Sequence, residues 1–225
     1  MPRVKLSATS SVGVLLKNYK NTIKTIAYVF IASWLALAYG CGGSVPKLAR
    51  LAPADVIVAF GDSLTFGTGA SEAESYPAVL AQLIARKVVR AGVPGEVTEG
   101  GLARVQEVID EHKPKLMIVC LGGNDMLRKV DETQTKANLR TLIKTIQAQG
   151  ISVVLVGVPK PALVTRAPPF YEEIAKEFGL PYEGKIVTDV LYTPEQKSDS
   201  IHPNAKGYRR MAEALAALLK KAGAV

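Results

Sequence analysis

The chain predicts an α/β fold, a three-layer α/β/α sandwich built on a mainly parallel five-stranded sheet. Short β-branched apolar runs alternate with longer segments of helical period, which is the pattern of successive βαβ units. The runs are apolar along their length, as strands of a parallel sheet covered on both faces are. Glycine-containing loops follow several of them, where an open parallel sheet binds its ligands.

In order, Val56–Phe60 is the first strand, Tyr76–Ala85 a helix and Lys87–Ala91 the second strand. Leu102–His112 is a helix and Leu116–Leu121 the third strand. Thr133–Gln149 is a helix because Leu139, Leu142, Ile143 and Ile146 recur at helical spacing, and Ser152–Gly157 is the fourth strand. Residues Val158–Pro169 hold Pro159, Pro161, Pro168 and Pro169 and so form an irregular loop, placed near the site because it follows a strand. Phe170–Phe178 is a helix, a weaker fifth strand is expected near Lys185–Val187, and Ala205–Ala222 is the closing helix. No internal repeat or low-complexity tract interrupts this order.

The formal charge is +8, but Arg3, Lys5, Lys17, Lys20 and Lys24 all precede residue 41 with no acid among them. Without them 23 basic residues face 20 acidic ones, and no basic stripe is interleaved with aromatics, so nucleic acid is excluded as a partner. Behind those lysines, Ile26 to Gly40 is uncharged and mainly apolar, and it reads as an export signal or membrane anchor over 1–40. It is shorter than the roughly 20 residues a spanning helix prefers. Gly40-Cys41 resembles a bacterial lipoprotein processing site, although Ala38 and Tyr39 fit that pattern imperfectly. Lipidation of Cys41, simple cleavage and a retained anchor are the alternatives, each with an exported or membrane-anchored, periplasmic product. A short linker over 41–54 and one domain over 55–225 complete the organisation. Cys120 lies inside an apolar strand, so the two cysteines form no disulfide framework. Two histidines without clustered ligand spacing give no metal site, and no cofactor is expected.

Gly61-Asp62-Ser63-Leu64 follows the first strand and sets a serine hydroxyl where a helix is about to begin. Ser63 is therefore the candidate nucleophile. His202 lies in Asp199-Ser200-Ile201-His202-Pro203-Asn204, with an acid three residues before it in a proline-bounded segment. One loop can thus present Asp199 and His202 together, a base and the acid that orients it. Between these ends stand Gly92-Val93-Pro94-Gly95 and Gly122-Gly123-Asn124-Asp125. Taken singly, Asp62 or Ser63 is an ordinary helix cap and Asn124-Asp125 an ordinary turn; the four motifs occurring together point to catalysis.

In this order the four motifs resemble those of the SGNH, or GDSL, hydrolases. Gly101-Leu102-Ala103-Arg104 and His202-Pro203-Asn204 bring the chain nearest the thioesterase I, lysophospholipase and arylesterase branch. The resemblance implies a flavodoxin-like SGNH-hydrolase fold and a serine esterase acting through an acyl-enzyme on a small carboxylic ester or thioester. It assigns the oxyanion hole to the backbone N–H groups of Ser63 and Gly95 and the side-chain amide of Asn124. Arg90 and Pro94 depart from the family pattern, and Pro94 stiffens the approach to Gly95. Asp125 is expected to brace its loop and His112 to end a helix in solvent. Met126 and Leu127, and Ala162, Leu163 and Val164 in the proline-rich loop, are expected to hold the acyl chain.

Three other functions stand beside this one. A carbohydrate O-deacetylase would use the same triad. A ligand-binding surface lipoprotein would not need Ser63, Asp199 and His202 intact. Nucleotide binding through Gly67-Thr68-Gly69 fails because Glu72 stands where the third glycine belongs.

Overall fold

The computed structural model of the chain describes residues 45–160 and 166–225. The segment expected as an export signal or anchor, Cys41, and Ala162, Leu163 and Val164 therefore lie outside the described residues. The elements run β1 (Val56–Gly61), α1 (Ser63–Phe66), α2 (Tyr76–Ile84), β2 (Lys87–Gly92), α3 (Thr98–His112), β3 (Leu116–Cys120), α4 (Gly123–Leu127) and α5 (Glu132–Ala148). They continue with β4 (Ser152–Val156), α6 (Pro169–Glu177), β5 (Tyr182–Glu183), α7 (Ile186–Leu191) and α8 (Ala205–Ala222). Single 3₁₀ turns lie at Glu72–Glu74 and Pro194–Gln196.

All five strands are parallel, in the order β2-β1-β3-β4-β5. The chain steps one way from β1 to β2 and the other way thereafter. Right-handed crossovers therefore send α2 to one face and α3, α5 and α6 to the other. The packing agrees, since α2 lies against α8 and α3 against α5. The three central strands, β1, β3 and β4, are buried on both sides, with Ile57, Phe60, Leu116, Met117, Ile118 and Val154 fully enclosed, while β2 and β5 at the edges are partly exposed. Tyr76, Tyr171 and Tyr208 are the largest fully buried side chains among the described residues.

The expected fifth strand near Lys185–Val187 is corrected. β5 is the pair Tyr182–Glu183 at the sheet edge, and 186–191 form a helix that buries Ile186, Val187 and Val190. The segment expected as a linker joins the domain from Val45 onward: the Leu48 and Leu51 N–H groups donate to the Ala222 and Ala224 carbonyls at 2.9 Å, and Leu51 is buried.

Register sets the site. Gly61 at the end of β1 pairs with Gly92 of β2 on one side and Cys120 of β3 on the other. The loops leaving these three strands start level with one another, at the point where the strand order reverses. Gly61 is required there, because a Cβ would run into the Cys120 carbonyl oxygen.

Candidate active site

Ser63 begins α1, directly after Asp62, whose Oδ1 accepts the Leu64 N–H at 3.0 Å and caps the helix. Across the site, Asp199 and His202 share a loop before α8. Asp199 Oδ1 accepts the N–H groups of Ile201 and His202 at 2.8 and 2.9 Å. The loop is closed at its base by the Ser198 N–H on the His202 carbonyl at 2.9 Å and by a bridge between Lys197 and Pro203. Its partner oxygen, Asp199 Oδ2, lies 2.8 Å from His202 Nδ1, and His202 Nε2 lies 3.1 Å from Ser63 Oγ. Three residues expected from the sequence thus form one continuous hydrogen-bonded line. Partial burial pushes the Asp199 carboxyl up, but the His202 ring and the two loop N–H groups outweigh it and hold the group below the ordinary range.

Gly95 follows β2 in Val93-Pro94-Gly95-Glu96. The Glu96 N–H meets the Val93 carbonyl at 3.1 Å and Gly95 has φ +79°. These are the features of a type II turn with proline and glycine in their preferred central places. Pro94, a departure from the family pattern, is therefore the residue that pre-forms this turn. Arg90, the other departure, stacks 4.5 Å over Phe66, donates to its carbonyl at 2.7 Å and pairs with Glu72 at 2.9 Å. It ties β2 to the end of α1. Among the described residues, neither the Ser63 nor the Gly95 N–H has a backbone acceptor.

Asn124 sits in the first turn of α4, where its Nδ2 donates to Glu96 O at 3.0 Å and to Asp62 Oδ2 at 3.2 Å. Asp125 braces α4, as expected: it is buried and accepts the Thr98 N–H at 2.9 Å and the Thr98 hydroxyl at 2.5 Å. His112 closes α3, within 3.7 Å of Glu111.

A cavity of about 660 Å³ opens over these groups, lined by Ser63, Gly95, Asn124 and His202. Leu127, Val158, Leu191 and Ile201 supply apolar wall. Met126 does not: one turn of α4 aims it at the core instead. Among the described residues no three His, Cys, Asp or Glu side chains are grouped to hold a metal ion.

Several supporting residues carried no assigned role in the sequence. Arg104 lies 4.0 Å over the Phe60 ring, pairs with Glu96 at 2.6 Å, and donates to the Gly61 and Ala91 carbonyls at 3.2 and 3.0 Å. It joins the ends of β1 and β2 to the loop that carries Gly95. Arg128 donates to the Gly95 carbonyl at 2.7 Å. Asp62 is more than a cap: only 2% exposed, its carboxyl is pushed up to about 7. Burial is the main cause, opposed by the Leu64 N–H and His202 and reinforced by the Glu96 and Asp125 carboxylates.

Comparison with known proteins follows the same lines. The model of the GDSL-like Lipase/Acylhydrolase family matches residues 59–210. The thioesterase 1/protease 1/lysophospholipase L1 of Escherichia coli K12 is 33% identical over 163 residues, covering 69% of this chain and 78% of that protein. The esterase TesA of Pseudomonas aeruginosa is 28% identical over 190 residues, covering 79% of this chain and 93% of that protein. Among solved structures, the SGNH-hydrolase family esterase AlinE4 superposes with a TM-score of 0.59 at 30% identity, covering 77% of this chain and 98% of that one.

Proposed function

Because the chain belongs to the GDSL-like lipase/acylhydrolase family and is an ester-hydrolysing serine hydrolase, we propose that it cleaves carboxylic esters or thioesters of short-to-medium acyl chain through an acyl-enzyme on Ser63. The observation that carries this mechanism is the Ser63–His202–Asp199 line, at 3.1 and 2.8 Å. Ser63 Oγ attacks the acyl carbon while His202 Nε2 takes its proton, and the carbonyl oxygen becomes an oxyanion held by the Ser63 and Gly95 N–H groups and the Asn124 amide. The imidazolium, stabilised by Asp199, returns the proton to the departing alcohol or thiol. Water activated by the neutral ring then frees the acid. The apolar wall of the cavity favours an acyl chain over a polar acyl group.

Ser63→Ala and His202→Ala each abolish turnover of a p-nitrophenyl acyl ester while leaving the circular dichroism spectrum unchanged. Undiminished hydrolysis by folded Ser63→Ala would sink the mechanism. Export is part of the same proposal, supported by the basic and then apolar leader, and it favours esters over cytosolic acyl-CoA thioesters. Cleavage before Cys41 leaves residues 41–225, which lack the single tryptophan, Trp34, and mass spectrometry reads whether Cys41 carries lipid. A full-length cytosolic product would refute export.

A further inference from the structure

We propose that Asp62 is a positioning residue for the oxyanion hole: as a carboxylate it holds the Asn124 amide with its nitrogen toward the site, and when protonated it lets the amide go. This role rests on Asn124 serving as an oxyanion donor, as proposed above.

The donors around Asp62 carry the inference. Oδ1 accepts the Leu64 N–H at 3.0 Å and Oδ2 accepts the Asn124 Nδ2–H at 3.2 Å. Each oxygen accepts an N–H. That is the environment of an acceptor-only, ionised group. A proton on either oxygen would confront a donor already pointing at it. The two ends of an asparagine amide are told apart only by their partners, and Asn124 Nδ2 has two: Asp62 Oδ2 and the Glu96 carbonyl at 3.0 Å. The Glu96 carbonyl is main chain and does not titrate. Asp62 is therefore the partner that pH can reverse.

The surroundings keep this switch simple. The charged or titrating groups facing Asp62 are Glu96, Asp125 and His202. Glu96 is paired with Arg104, and Asp125 is bonded by Thr98. The nearby Cys120 thiol and the Tyr76, Tyr171 and Tyr208 hydroxyls are all pushed up by burial and stay neutral at working pH. Burial also pushes Asp62 itself up to about 7, which brings its protonation into the range where the enzyme works.

Asp62→Asn tests the role, because it replaces one of the two oxygens that Leu64 and Asn124 donate to with an NH₂ donor. With a p-nitrophenyl ester, kcat and KM are measured from pH 5 to 9 for the wild type, Asp62→Asn, Asn124→Ala and the double variant. Loss of one oxyanion donor costs about 10²–10³ in kcat, so Asn124→Ala falls by that much and Asp62→Asn by about tenfold or more, with KM little changed. Adding Asp62→Asn to Asn124→Ala costs no more than about twofold. From pH 9 to pH 5, kcat/KM of the wild type falls relative to that of Asp62→Asn by about tenfold or more, because only the wild type takes up a proton at this position. Its advantage over Asn124→Ala shrinks by the same factor, since protonation of Asp62 costs nothing once the amide is gone. Additive losses in the double variant, an Asp62→Asn kcat equal to wild type, or a ratio of wild type to Asn124→Ala that does not change with pH would each overturn the role. The last does not need Asp62→Asn to fold. If Asn124→Ala turns over like the wild type, it is the oxyanion-hole assignment that fails, and Asp62 loses its target with it.

Discussion

The carboxyl of Asp62 makes the stability of this protein depend on pH in a way that one substitution isolates. It is 2% exposed, and its pKa rises from the ordinary 3.8 to about 7 on folding. Below 3.8 the group is neutral in both folded and unfolded chains. As pH climbs from 3.8 toward 7 the unfolded chain releases this proton while the folded one retains it, so stability falls. Above 7 both states have released it and the loss is complete. Each pH unit inside that window removes about 1.4 kcal/mol, or about 4 kcal/mol across it, with no discount for solvent because the group is enclosed. Asp62→Asn cannot titrate. Whatever its offset at low pH, its stability relative to the wild type grows by about 4 kcal/mol between pH 4 and 7 and then stays level. For a domain of this size that corresponds to about 10 °C in Tm. Urea denaturation of both proteins at pH 4.5, 5.5, 6.5, 7.5 and 8.5 reads the difference directly, since every other titrating group cancels. Parallel curves would refute the reasoning and show that Asp62 ionises in the folded protein as it does in the unfolded one.

Acyl selectivity and the brace of α4 give further expectations. Across p-nitrophenyl esters, kcat/KM climbs about fourfold per methylene, the equivalent of about 0.8 kcal/mol, until the cavity of about 660 Å³ is filled; greatest efficiency on acetyl with steady decline thereafter would contradict the acyl wall and favour a deacetylase. Asp125→Ala leaves the Thr98 N–H and hydroxyl without their acceptor, at a cost of about 1–3 kcal/mol. It also lowers kcat by loosening the helix that carries Asn124, and thermal melts with kinetics on the same sample check both effects.

Most of the fold was legible because strands buried on both faces are apolar end to end, and the long helices repeat every three or four residues. The departures are physical. β5 is two half-exposed residues at a sheet edge, Tyr182 and Glu183, with no apolar run to announce it. Ile186-Val187-Thr188-Asp189-Val190-Leu191 is β-branched enough to look like a strand, but burial of one face makes it a helix. α1 and α4, at four and five residues, are too short for periodicity to show. Ser63, Asp199 and His202 could be named because each sits in a short local motif, and Asp199 and His202 meet within one loop. Arg104 and Arg128 could not be given roles, since Arg104 acts on Gly61 across 43 residues and Arg128 on Gly95 across 33. Asp62 was legible as a cap. Its second oxygen, turned to a residue 62 positions away, was not.

Covalent capture tests the central claim that Ser63 is the acylated nucleophile. A fluorophosphonate is incubated with the wild type, Ser63→Ala and His202→Ala, and adduct mass and position are read by intact and peptide mass spectrometry. The account predicts one adduct per wild-type chain, on the peptide holding Gly61-Asp62-Ser63-Leu64, none on folded Ser63→Ala, and greatly slowed labelling of His202→Ala. An unlabelled wild type that still hydrolyses ester, or an adduct on another residue that abolishes turnover, would contradict it.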